Sequence, residues 1–335
     1  MMDILNTLQV LNACHGPSGD ENSVAEAIRA LAAPHADEHW FDPMGNLIVH
    51  KRGNGPKVLF AAHMDSIGMI VTHIEEEGFL RFGKVGGLDL YALLHTAVRF
   101  ANGTRGLIGA DESADLKKPG VEDLFIDIGA RSREEAERLV HIGDTAVFDT
   151  PSFAAGERII SPYLDNRISC VVLLAVLESL ENSINDLYFV FTTQEEVGLR
   201  GAKTAAYAID PDYAVVIDVT LSDDVPGAKH NGSSVLGKGA AIKVMDGSVI
   251  CHPNMVEKLT DLARKRNIPF QSDVIRSGGT DAGAIHVSRT GVFTGGISIP
   301  CRYIHTPTEM VQTSDIEACI KLAAAFACAR LESGV

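Results

Sequence analysis

The chain has 335 residues, 46% hydrophobic and 22% charged, with 29 basic against 44 acidic side chains and a net charge of −15. That length allows two domains or one large domain with an insertion, and the composition is too apolar for a disordered chain. The negative field repels phosphate backbones and anionic bilayers, which disfavours nucleic acid and membrane surfaces as partners.

Ile4, Leu5, Leu8 and Leu11 fall at helical spacing within 3–14, and Gly16-Pro17 ends that helix. Ser18 followed by Glu21 has the form of a capping box opening a second amphipathic helix, with Val24, Ile28 and Leu31 on one face. Strand-like runs at 47–50 and 58–62, separated by the turn composition of 53–56, predict a hairpin-like pair. Short β-rich segments punctuated by glycine then fill 67–161, with one helix over 134–140 capped by Ser132, so this stretch is expected to be an inserted β domain.

An α/β pattern resumes with an apolar helix over 166–180, a strand at 187–192, a helix over 202–209 and a strand at 213–217. Beyond a glycine-rich stretch come a helix over 255–265, a strand near Val274, a short strand at 296–299 and a last helix over 315–331, opened by the box Ser314/Glu317. The expected fold is α/β, a mostly parallel sheet covered by helices, with a discontinuous domain of 1–66 and 162–335 interrupted by 67–161.

The six cysteines form no C-x-x-C pair and several lie in apolar runs, which fits reduced thiols in the cytoplasm. No apolar run exceeds eight residues and Asp3 precedes any Lys or Arg, so neither a membrane span nor a signal peptide is expected.

Ligand-type residues recur immediately after apolar strands, where open α/β sheets place their binding crevices. The run 58–62 leads into His63-Met64-Asp65. Alternation sends His63 and Asp65 to the same side, so the carboxylate could take the imidazole N–H and fix its tautomer. The strand 187–192 runs through Thr193-Gln194 into Glu195-Glu196. Adjacent residues there point apart, so one carboxylate could bind a metal while its neighbour serves as a base. Asp218 caps the strand at 213–217, Asp165 precedes the long helix, where N-capping is the plainer reading, and His305 follows the strand at 296–299.

Two histidines, two aspartates and two glutamates at separate strand ends make the inventory of a two-metal hydrolase. Divalent ions suit that donor set, with zinc first and cobalt or manganese also accommodated, and the lack of cysteine disfavours a structural zinc site. No H-E-x-x-H, G-x-S-x-G or Walker A motif is present, which removes the usual support for single-zinc proteases, serine hydrolases and P-loop enzymes.

The chain resembles the glutamyl-aminopeptidase and deblocking-aminopeptidase family of cytosolic metallopeptidases, which assemble as tetrahedral particles. The motifs are His-Gly-Pro-Ser-Gly-Asp-Glu at 15–21, Ala-His-Met-Asp-Ser-Ile-Gly at 62–68, Leu-Phe-Ile-Asp-Ile-Gly-Ala at 124–130, Leu-Asp-Asn-Arg at 164–167, Gln-Glu-Glu-Val-Gly at 194–198, Gly-Gly-Thr-Asp-Ala at 278–282 and Arg-Tyr-Ile-His-Thr at 302–306. The resemblance implies that His63 and Asp218 bind one metal, that Glu196 and His305 bind the other, and that Asp165 bridges them. It further implies that Glu195 is the base and that Asp65 orients His63. It also implies peptide substrates with a free N-terminus and a homododecamer in which the inserted domain serves assembly and pocket shape. The chain departs from the family at 109–115, where Gly-Ala-Asp-Glu-Ser-Ala-Asp replaces a Lys-Pro-Pro-His stretch common in relatives. The 278–281 segment reads as a tight turn near the pocket or, equally, as a plain turn, and no role follows from it.

The rival readings are a two-metal amidohydrolase acting on small amides and a noncatalytic peptide-binding assembly protein, though no ligand or base is missing. A glycosidase carboxylate pair fits poorly with two histidines at strand ends.

Overall fold

The computed structural model describes residues 2–230 and 232–332. Four parallel strands, Asp186–Thr192, Lys57–His63, Tyr213–Leu221 and Phe293–Arg302, form the centre of an eleven-stranded sheet. Alternation along these strands feeds two cores. Val58, Phe60 and Ala62 join a cluster under the helices Ile4–Ala13, Asn22–Ala32, Leu164–Ser179 and Thr313–Ala327, while Leu59 and Ala61 face the helix Arg200–Ile209. The helix presents Ala202, Ala205 and Ala206 to a sheet face built from Ile48, Leu59, Ala61, Val190, Ala214 and Val216.

The sheet is mixed rather than mostly parallel. Antiparallel strands flank the parallel centre: Leu47–Lys51 and Glu38–Phe41 on one side, Glu309–Gln312, Arg158–Ser161 and Phe153–Ala155 on the other. Ala240–Met245 also pairs antiparallel with Phe293–Arg302 and carries Phe270–Val274 beside it.

The expected hairpin between 47–50 and 58–62 does not form, because Asp186–Thr192 inserts between those strands, antiparallel to the first and parallel to the second. The glycines of the intervening turn explain the arrangement. A Cβ on Gly53 would lie 2.0 Å from the Asn185 carbonyl oxygen and one on Gly55 2.7 Å from that of Ile184, so the turn is a close seat for the incoming chain.

Six strands from Gly68–Ile74 to Thr145–Phe148 close into a barrel, which removes their free edges. Phe82, Phe100, Ile108, Ile126 and Phe148 fill its interior. The strands Phe153–Ala155 and Arg158–Ser161, read from sequence as part of the insert, pair into the large sheet. In the divergent acidic segment, Asp111 is clamped by Arg81 at 2.9 and 3.1 Å, so that acid is absorbed in a barrel ion pair.

Neither expected capping box forms. Ser18 donates to Asp65 instead, and Glu21 accepts from Gly19 and Gln194. The last helix, Thr313–Ala327, begins after Gln312 with no side-chain cap, and Asp315 receives the amides of Gly237 and Gly239. The long helix spans Leu164–Ser179, but Asp165 and Asn166 are not helical, and the peptide between them is cis. All six cysteines are unpaired. Among the described residues no helix is long and apolar enough to cross a membrane.

Candidate active site

The parallel strands end on one edge of the sheet, with Thr192 in register with His63. His63 ends its strand, and Asp218, expected to cap a strand ending at 217, lies inside one that runs on to Leu221. The segments beyond the strand ends deliver Asp65, Glu195, Glu196 and His305, the start of the helix Leu164–Ser179 delivers Asp165, and all seven meet there. His63 Nε2 lies 3.1 Å from Asp165 Oδ1 and 3.9 Å from both Glu195 Oε2 and Asp218 Oδ1. His305 Nε2 lies 3.3 Å from Asp165 Oδ2 and 3.2 Å from Glu196 Oε2. Asp165 therefore stands between the imidazoles with one oxygen toward each; its carboxylate does not cap the helix behind it.

Among the described residues, two groups bring their ligand-type atoms within 4.8 Å of one another: His63, Asp165 and Glu196, and His63, Glu195 and Asp218. Glu195 thus sits as near the first imidazole as Asp218 does. Asp65 is fully buried; its Oδ1 is 3.5 Å from His63 Nδ1, and its backbone carbonyl is 3.2 Å from the same nitrogen. The carboxylate also accepts the Glu195 and Glu196 amides at 3.0 and 3.2 Å and the Ser18 hydroxyl at 2.6 Å.

Burial of this many acids sets their ionisation. Desolvation holds the Glu195 and Asp218 carboxyls well above the usual range, and His63 opposes this only in part. Glu196 is raised by burial and by the neighbouring charge of Asp165. Burial acts to lower both histidines, but the surrounding carboxylates override it, holding His63 well above its ordinary value and His305 at about 11. Asp165 goes the other way: despite burial, its contacts with His305 and His63 hold it low.

Two further carboxylates escaped the sequence reading. Glu309 is buried and accepts the backbone N–H groups of Asp165 and His305, each at 2.8 Å, tying together two segments that adjoin the paired strands Arg158–Ser161 and Glu309–Gln312. Asp281, in the 278–281 segment, is buried against the Thr192 hydroxyl, and burial raises its carboxyl to about 6. Its only signal in the sequence was the Gly-Gly-Thr-Asp motif; Glu309 left none beyond following His305 by four residues.

The barrel reaches the centre through Gly86-Gly87. A Cβ on Gly86 would lie 3.1 Å from Glu196 Cβ, and one on Gly87 2.8 Å from His305 Nδ1.

The family model for M42 glutamyl aminopeptidases matches residues 45–322, most of the chain. The chain belongs to this family. It is an aminopeptidase, a hydrolase of peptide bonds, as its motifs implied. A putative aminopeptidase of Acetivibrio thermocellus is 45% identical over 96% of this chain and 97% of its own. Among solved structures, an aminopeptidase from the archaeon Desulfurococcus kamchatkensis superposes with a TM-score of 0.93 at 43% identity, covering 97% of this chain and 94% of its own. The TET1 peptidase of Pyrococcus horikoshii, described as able to assemble into a tetrahedron or a large octahedral shell, has a TM-score of 0.88 at 35% identity, with 97% and 99% covered. The M42 chain thus superposes on both over nearly its whole length.

Proposed function

We propose that the chain is a dinuclear metal-dependent aminopeptidase that removes N-terminal residues from peptides with a free amino terminus in the cytoplasm. The observation that carries this reading is Asp165, whose two carboxylate oxygens face two different histidines at 3.1 and 3.3 Å, each histidine close to a further carboxylate. The donor set fits two cations. Four acids crowd two imidazoles in a buried space, and Glu196 Oε1 is buried without a hydrogen-bond partner. Cys170 lies against His63, but its thiol donates to the His63 backbone carbonyl and stands outside both groups of ligand-type atoms, which leaves oxygen and nitrogen as the donors. His63 and Asp218 would hold one ion, Glu196 and His305 the other, with Asp165 shared. Zinc suits these donors best, and cobalt or manganese would also fit.

When bound, such an ion pair lowers the pKa of water and polarises a peptide carbonyl. The chain's own part is to move the proton and place the substrate. Glu195, a carboxylate whose proton affinity burial has raised, would take a proton from the attacking water and deliver it to the leaving amine. The acidic surroundings favour a cationic α-amino group. His305 is the most open member of the set, its side chain 35% exposed, and marks the side from which a peptide would approach.

The catalytic domain on this reading comprises 1–66 and 162–335 together with the strands Phe153–Ala155 and Arg158–Ser161, and the barrel between Gly68 and Phe148 serves assembly and pocket shape, with a homododecamer as the expected particle. Release of single amino acids from free peptides, and none from the same peptides N-acetylated, tests the activity. Glu195→Gln should retain two ions per subunit and lose at least about a hundredfold in turnover. Activity close to wild type in that variant would remove Glu195 from the chemistry.

A further inference from the structure

Four consecutive amides in the turn carrying Glu195 are each received by a buried side chain from elsewhere in the fold. Thr193 N–H goes to Asn46 Oδ1 at 3.0 Å and Gln194 N–H to Glu21 Oε1 at 3.1 Å, while Asp65 takes those of Glu195 and Glu196. Gln194 has φ of +54°, a left-handed backbone unfavourable for a residue with a Cβ, and such a conformation persists only where its surroundings enforce it.

Glu21 directly precedes the helix Asn22–Ala32 but makes no cap bond to it. Its side chain turns away, and a single oxygen accepts Gly19 N–H at 2.8 Å together with Gln194 N–H. It is 7% exposed, and a buried carboxyl is costly unless its hydrogen bonds compensate. The stretch 15–21 therefore contributes two side chains, Ser18 and Glu21, to the support of this turn.

We propose that Glu21 is a positioning residue for the reaction: by accepting the Gln194 N–H it fixes the left-handed turn from which Glu195 projects. The proposal rests on the reading of Glu195 as the base. Because the bonded atom is one oxygen, a glutamine can reproduce it, whereas a shorter side chain cannot reach.

The test is kcat and KM on an aminoacyl chromogenic substrate, with metal content and particle mass measured on the same preparations. Glu21→Ala should lower kcat about ten- to a hundredfold with KM within about twofold, consistent with misplacement of a catalytic group by a fraction of an ångström. Metal content and mass should not change. Glu21→Gln should recover kcat to within about threefold of wild type. In a Glu195→Gln background, Glu21→Ala should cost nothing further, since the group it positions is already disabled. If the alanine variant does not fold, Glu21→Asp carries the same expectations for kcat and for the double variant. The proposal is overturned by a folded alanine or aspartate variant with near wild-type kcat. Equal loss in the glutamine variant, or an undiminished effect in the Glu195→Gln background, would overturn it as well. A wild-type enzyme that releases no amino acid from free peptides would instead defeat the functional reading itself.

Discussion

Asp65 and Glu195 are joined through the backbone: the Asp65 carboxylate accepts the Glu195 N–H at 3.0 Å, and with its other oxygen the Glu196 N–H at 3.2 Å. Its contact with His63 Nδ1 is longer, 3.5 Å. Contacts with His63, Ser18 and the Glu195 amide hold its acid low despite complete burial. The side chain read from sequence as an orienter of His63 thus also ties the end of one strand to the turn beyond its neighbour. Asp65→Asn places an amide donor against one of these N–H groups. It should lower kcat about ten- to a hundredfold, the scale of outer-shell partners in metal sites. Steady-state kinetics with bound metal measured in parallel would check this, and unchanged kcat would show that the backbone bonds are dispensable.

The strand ends were legible because chemistry interrupts an apolar run there. Phe60-Ala61-Ala62 gives way to His63, the last residue of its strand, so composition marked that end, whereas Asp218 breaks the apolar run Val216-Ile217 inside a strand that continues to Leu221. Glu309 and Glu21 were not legible, since each acts on the N–H groups of distant residues and any carboxylate can do that wherever the fold places it. Ser18 and Glu21 illustrate how local pattern misleads. Their spacing fits a capping box, yet Asp65 and Gln194, distant in sequence, are the partners the fold supplies. The misread hairpin has the same origin, because the strand that separates 47–51 from 57–63 comes more than a hundred residues later.

Gly87 makes a sharper prediction about how the barrel meets the centre. Its φ is not in the left-handed region, so alanine is conformationally acceptable, but the new Cβ would stand 2.8 Å from His305 Nδ1 and 3.1 Å from its Cε1. Gly87→Ala should displace that imidazole, weaken retention of one of two ions about tenfold or more, and leave the melting temperature nearly unchanged. Metal per subunit after dialysis against graded chelator reads this directly. Retention equal to wild type would mean that His305 yields without consequence.

Lys243 supplies the one strong stability prediction away from the centre. It is 1% exposed, its ammonium 2.7 Å from Asp273 Oδ2 and 3.9 Å from Asp246 Oδ2, and its stem crosses Gly296, where a Cβ would lie 2.8 Å from Lys243 Cβ. Asp273 in turn accepts the Thr220 hydroxyl at 2.9 Å, two residues beyond Asp218. Lys243→Met leaves two buried carboxylates without their cation and should cost about 3 to 5 kcal/mol. Adding Asp273→Asn should recover part of that loss, since the uncompensated charge rather than the missing contact dominates. Denaturant midpoints of the single and double variants decide the matter, and a single variant as stable as wild type would contradict it.

Metal loading should release protons. In the metal-free protein the carboxylates around His63 and His305 raise the proton affinity of both imidazoles, and burial raises that of Glu195, Glu196 and Asp218, so the cluster retains protons that free side chains would lose. A cation needs neutral imidazole and ionised carboxylate, so each ion must displace protons from its ligands. The sign follows: raising the pH removes those protons in advance and strengthens binding, while lowering it opposes the cation. Between about pH 6 and 8, apparent affinity should climb roughly tenfold per pH unit for each proton released. Titration calorimetry with zinc or cobalt, in two buffers of different ionisation enthalpy, counts the protons. A binding enthalpy independent of buffer, with affinity flat in pH, would mean that the histidines are already neutral and that the carboxylates do not hold their protons as burial dictates.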